Sequence, residues 1–195
     1  DALVQSGLRS HNFLVDVTNY VLMELGQPLH AFDADTIEGD IVVRLAQPAE
    51  TITLLNEQTI TLTGDELLIA DDKGALALAG IMGGQRSSVT DSTTNIVLES
   101  AFFNPLAIAA RARRFGLHTD ASQRFERGVD FELPELALAR ACDLITSVTG
   151  GQAGQIVKVE NSEHLPARAP IMLPLTKVRD VIGIKIEPAV MVRIL

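Results

Sequence analysis

The sequence predicts an α+β domain, a layered sandwich-like sheet with helices packed on one side, followed by the start of a small helical domain. Three observations lead there. Residues 41 to 101 break into short β-like runs separated by Gly, Asp and Asn signals, while the flanking stretches carry capped helical periodicity. Past these, Leu165 to Pro174 holds Pro166, Pro170 and Pro174, which reads as a linker. The organisation expected is therefore a domain over 1–165, a linker over 166–174 and a truncated helical segment over 175–195.

The elements follow in chain order. Leu14, Val17, Val21 and Leu25 share one helical face, and Gly26 with Pro28 stops that helix, leaving Thr18 and Asn19 beside its apolar stripe. Strand-like runs follow at Ile41 to Leu45, Thr51 to Leu55, Thr59 to Leu62, Leu67 to Ala70, Ala75 to Ala79 and Ile96 to Ala101. Asn104 then caps a helix that opens on Pro105 and closes at Gly116. Asp120 with Gln123 reads as a capping-box-like start, and Gly128 as the end of that helix, so Thr119 and Ala121 fall at a helix N-terminus. Pro134 opens a further helix running to Gly150-Gly151. Beyond the linker, Val178, Val181 and Ile182 before Gly183, and Val190, Val192 and Ile194 after Pro188, predict two helical stubs.

Composition limits the function classes. The chain has 195 residues, 47% of them hydrophobic, enough for a core that needs neither disulfide nor metal. A single cysteine, Cys142, forbids an internal disulfide and suits a reducing compartment, and the four scattered histidines lack metal-ligand spacing. No apolar run reaches membrane-spanning length and no basic-then-apolar signal opens the chain, so a soluble, cytoplasmic protein is expected. Without Trp and with one Tyr, stacking platforms for single-stranded nucleic acid are scarce. The net charge of −9 argues against this segment gripping a nucleic-acid backbone alone. Between residues 111 and 127, however, Arg111, Arg113, Arg114, Arg124 and Arg127 stand against only Asp120 and Glu126, so that stretch carries +3 and the rest −12. Such an island meets phosphates or pairs with surrounding acids.

Several groups are candidates for chemistry. His30 lies on a loop, Gln27 to Asp33, leading towards the sheet, as a binding residue or a hydrogen-bonded bystander. Gly80-Ile81-Met82-Gly83-Gly84 follows a predicted strand but lacks both the P-loop Lys-Ser/Thr and the dinucleotide spacing, so close backbone approach explains it better. Glu99 is an acid inside an apolar strand: alternation turns it to solvent, or it faces inward and needs a donor such as a ligand hydroxyl. The helix start at Thr119 to Ala121 is a plain cap or an anion site. No nucleophile elbow, cysteine–histidine signature or paired carboxylates stand out, which leaves water as the attacking group if the chain is an enzyme.

Taken together, Val15 to Tyr20, Gln27 to Asp33, Gly80 to Gly84, Leu98 to Phe103 and His118 to Asp130 resemble, in order, the bacterial phenylalanyl-tRNA synthetase beta subunit over roughly residues 3 to 160. The resemblance implies the central editing domain of that subunit, its opening strand lying before Asp1, with residues from about 170 beginning a small helical, DNA-binding-like domain. It implies hydrolysis of tyrosine wrongly esterified to tRNA(Phe), with His30 and Glu99 lining the pocket, Glu99 near the tyrosine hydroxyl. Thr18 and Asn19, Gly80 and Gly83, and Thr119 and Ala121 are implied to shape it around the amino acid and the tRNA end. Implied partners are the synthetase alpha subunit, in a heterotetramer of two alpha and two beta chains, tRNA(Phe), and tyrosine as the editing ligand. No cofactor or metal is expected in this segment, ATP and magnesium serving the whole synthetase. The alternative is a structural or tRNA-docking module without activity of its own.

Overall fold

A computed structural model describes residues 2–167 and 169–195; Asp1, and Arg168 inside the expected linker, lie outside the described residues. The chain divides into two compact units, Asp1–Glu160 and Asn161–Leu195.

The first unit opens with helices α1 (Ala2–Gln5) and α2 (Phe13–Leu25). Helix α2 starts where the Asn12 side chain accepts from the Val15 N–H, and stops where Gly26 takes φ 77° and donates to the Leu22 carbonyl. Eight strands follow, interrupted by short 3₁₀ turns: β1 (Leu29–Asp33), β2 (Val42–Leu45), β3 (Thr51–Thr53), β4 (Thr59–Thr61), β5 (Leu67–Asp71), β6 (Gly74–Leu78), β7 (Met82–Gly83) and β8 (Ile96–Ser100). They form a four-stranded antiparallel sheet β2-β5-β6-β7 and two ribbons, β1-β8 and β3-β4. Single bridges, Leu54 to Gly84 and Phe32 to Ser88, join these pieces. The helices α3 (Pro105–Ile108), α4 (Arg111–Arg114), α5 (Asp120–Arg127) and α6 (Pro134–Thr149) complete the unit.

The ribbon β1-β8 separates two apolar cores, because alternate residues of a strand face opposite sides. Leu29, Ile96 and Leu98 face the α2–α6 pair, with Val17, Val21, Ala137, Ala141 and Ile145. Phe32, Val97 and Ala101 face the larger core, built from the strand residues Leu54, Leu68, Leu76 and Leu78 with Phe103, Ile108 and Phe125 from the helical end. The α+β class is thus what the chain adopts, with the helices in two groups: α2 and α6 on the ribbon, α3 to α5 against the larger core.

Three expectations change. Residues 29–33, read as loop, form strand β1; a five-residue run directly after Pro28 is too short to declare its period. The single helix expected after Asn104 is two, broken where Ala110 adopts φ 71°. The capping box of α5 belongs to Thr119 and Ser122, one residue earlier than Asp120 and Gln123. Thr119 Oγ1 accepts from the Ser122 N–H at 3.0 Å and the Ser122 hydroxyl accepts from the Thr119 N–H at 3.1 Å, so a hydroxyl fills the role expected of the Gln side chain. In the second unit, helices α7 (Leu175–Ile182) and α8 (Pro188–Ile194) stand where two stubs were expected.

Candidate functional site

The ribbon register brings together two residues 69 positions apart. His30 of β1 lies directly opposite Glu99 of β8, so both side chains leave the same face, the one continued by Phe32 and Val97. The His30 ring stacks edge-on against Phe32, centroids 4.5 Å apart. Its Nε2 is shielded from solvent and has no hydrogen-bond partner among the described residues. Burial pushes the His30 pKa down to about 4 and the Glu99 pKa up to about 7. Among the described residues no charged or hydrogen-bonding neighbour offsets either shift. Near neutral pH burial therefore keeps the imidazole uncharged and favours the protonated carboxyl more than an exposed site would. A buried acid and base left without partners are what a binding site offers to a polar ligand, since unmet hydrogen bonds are costly in a packed fold.

The glycine loop forms the adjoining wall. A Cβ on Gly83 would stand 2.4 Å from His30 Cε1 and 2.6 Å from Nε2, so only glycine lets this edge of the imidazole come so close to the backbone. The loop is also tied to α5: Thr119 Oγ1 donates to the Ile81 carbonyl at 2.8 Å. Thus the helix start carrying Thr119 and Ala121 is fastened to the loop that leads into β7, whose Gly83 abuts the His30 ring. Gly80 serves differently. At φ 67°, a Cβ there would strike Phe103, Phe125 and Ile108, so its missing side chain is filled by core packing. On α2, Thr18 is buried and its hydroxyl donates to the Val15 carbonyl within the helix, while Asn19 is half-buried. The Arg124 guanidinium lies 3.9 Å from Met23 Sδ, which sets α5 alongside α2.

Gln27 carries a role that sequence reasoning missed. It is fully buried, and its Nε2 donates to the Ala101 carbonyl at 2.8 Å, clamping the ribbon where His30 and Glu99 sit. Its only sequence signal is a polar residue just before Pro28 and an apolar strand. The basic island, by contrast, is mostly spent on internal pairs. Arg114 binds Asp65 and Glu66, Arg111 reaches Asp65, and Arg124 pairs with Asp120. Two open surface grooves, of about 530 and 770 Å³, lie elsewhere, near Arg44, Glu50, Lys73 and Arg86. Those charges are already paired, with Glu50, Glu38 and Asp71, so the unsatisfied groups mark the site better than the open volume does. No helix is long and apolar enough to cross a membrane, and no group of potential metal ligands occurs among the described residues.

Residues 1–150 match the family model of the B3/4 domain. The chain belongs to the B3/4 domain family. Among curated proteins it is 93% identical over its full length to the phenylalanine–tRNA ligase beta subunit of Psychrobacter arcticus, of which it spans 24%. It is 60% identical over 186 residues to the namesake from Acinetobacter baylyi, again spanning 24% of that protein. As a B3/4 domain, it thus occupies about a quarter of the length of these relatives. An N-terminal fragment of the phenylalanyl-tRNA synthetase beta subunit from Pyrococcus horikoshii shares the fold, with a TM-score of 0.53 at 17% identity over 90% of this chain and 52% of that one.

Proposed function

We propose that this B3/4 domain is the editing module of a phenylalanine–tRNA ligase beta subunit and hydrolyses tyrosyl-tRNA(Phe). The observation that carries the reading is the cross-strand pair His30 and Glu99, two polar side chains turned into the fold and given no hydrogen bond by the described residues, on a face walled by Gly83. Editing is physically useful because a pocket shaped for phenylalanine rejects an isostere that merely adds a hydroxyl by only about 10². A second site that hydrogen-bonds the hydroxyl rejects its absence by ~10⁴–10⁵, since phenylalanine would leave a buried polar group unpaired.

Glu99 is the group that meets the phenolic hydroxyl. The reaction needs no side-chain nucleophile: a water oxygen adds to the ester carbonyl, the ribose oxygen leaves with a proton, and free tyrosine and tRNA result. His30, with a pKa near 4, is a weak base at neutral pH, so it positions water or ester through Nε2 rather than carrying the proton away. Ala121, half-buried at the start of α5, leaves space for an aromatic amino acid, and Thr119 holds that start against the loop. The alpha subunit, tRNA(Phe), and ATP with magnesium at the aminoacylation site belong to the whole synthetase.

The test is deacylation of tyrosyl-tRNA(Phe) by the complete synthetase carrying His30→Ala or Ala121→Trp in this segment. Both are expected to lose hydrolysis by about 10² or more, by removing a positioning group and by filling the space for substrate. Unchanged hydrolysis in both would favour a structural or docking role.

A further inference from the structure

One apolar side chain at the site is left with half its surface in water. Leu55, at the tip of the β3–β4 hairpin, is 47% exposed, yet its Cδ1 stands 3.1 Å from the point where a Gly83 Cβ would sit, the same point that His30 Nε2 approaches to 2.6 Å. The tip is held firmly. The Leu55 N–H donates to the Gly83 carbonyl at 3.0 Å, the Glu57 N–H donates to the Leu54 carbonyl at 2.9 Å, and Leu54 is fully buried beneath. Glu57 closes the turn at φ 66°, and the Thr53 and Thr59 hydroxyls join across its base at 2.9 Å. An exposed leucine on so fixed a tip is a preorganised apolar surface, not a fraying loop.

We propose that Leu55 is a further substrate-binding residue, packing against the terminal nucleoside of the tRNA. This rests on the editing reading above. If Glu99 meets the hydroxyl of the tyrosyl group and the ester lies at His30 Nε2, the next part of the ligand is the ribose and base to which the ester is joined. Leu55 borders the Cε1–Nε2 edge of His30 across Gly83 and is half exposed to solvent, the direction from which a tRNA end must arrive. Its contact is therefore with the part of the substrate common to tyrosyl and phenylalanyl esters, and it contributes affinity without discrimination.

The experiment measures deacylation of tyrosyl- and phenylalanyl-tRNA(Phe) by the complete synthetase carrying Leu55→Ala or Leu55→Gln, the second keeping side-chain bulk should the first lower the melting temperature. The expected result is a KM raised about tenfold for both esters, with kcat changed less than about twofold and the preference for tyrosine intact. Unchanged KM in both variants would overturn the proposal. A changed tyrosine preference would overturn it as well, by placing Leu55 on the amino-acid side chain. His30→Ala in the same assay separates the two levels: if it abolishes hydrolysis while Leu55 variants behave as wild type, only the role of Leu55 fails. If His30→Ala and Ala121→Trp both leave hydrolysis unchanged, the editing reading itself fails.

Discussion

Asp71 and Glu99 each carry a strand carboxylate turned away from bulk water, yet Asp71 receives five N–H donors and Glu99 none from the described residues. The Asp71 oxygens accept from the backbone of Glu38, Lys73 and Gly74 and from both terminal nitrogens of Arg86, at 2.7 to 3.1 Å. Burial alone would raise the Asp71 pKa, but the Arg86 guanidinium and the backbone donors outweigh it and bring it down to about 2. At Glu99 burial acts unopposed and the pKa climbs to about 7. The contrast teaches how to tell a structural acid from a binding one. Where the fold itself meets every lone pair, the carboxylate is a latch; where it leaves them unmet, stability has been given up for something outside the chain.

The largest effect that would break the contrast concerns specificity. Glu99→Ala in the complete synthetase is expected to erase the preference for tyrosyl over phenylalanyl ester, a loss on the order of 10⁴–10⁵ measured as the ratio of deacylation kcat/KM values. A preserved ratio would make Glu99 a bystander. Arg86→Ala should do the reverse: leave the chemistry of the site in place and cost about 3 kcal/mol of stability, because it strands the buried Asp71 charge. Urea unfolding reads that loss directly.

The pH dependence sharpens the contrast. The Asp71 pKa is lower in the folded chain than its usual 3.8, so its contribution is present above that value and vanishes as pH falls through about 2. The Glu99 pKa is higher than its usual 4.5, so its contribution is intact below 4.5 and is lost as pH rises towards about 7. Glu99→Gln, which cannot ionise, should therefore stabilise the chain by roughly 2–3 kcal/mol at pH 8 and by almost nothing at pH 4. Asp71→Asn should destabilise at pH 8 and progressively less as pH approaches 2. Melting curves of both variants at these pH values decide the matter, and parallel behaviour would remove the distinction. The smallest effect is expected at Arg113, exposed and outside the ion pairs that hold its neighbours Arg111 and Arg114. Arg113→Ala should change stability by less than about 0.5 kcal/mol, whereas Arg114→Ala, which leaves the 1%-exposed Glu66 without its ion-pair partner, should lower the melting temperature clearly.

Much of the scaffold was legible because it rests on local chemistry. The apolar stripe of α2, the glycine after it, Pro105 and Pro134 at helix starts, and most of the strands from β2 to β8 follow from periods and caps that need only neighbouring residues. Strand β1 and the two-residue β7 were not legible, since short segments take their conformation from the strands they pair with. Residue-level candidates were visible in the resemblance of five linked motifs, but their division of labour was not: Gly80 and Gly83 look alike in sequence, and only their surroundings assign one to core packing and the other to the His30 ring.

By itself the sequence determined the α+β class, the helix punctuation and an apolar strand with one misplaced acid, because each depends on spacing along the chain. The tertiary structure alone decided that Glu99 faces His30 rather than solvent, that Thr119 is fastened to the glycine loop, and that the arginine island is mostly paired at home. Register, burial and partnership are relations between residues tens of positions apart. They are fixed only when the cores on either side of the β1-β8 ribbon close and choose which side chains face each other.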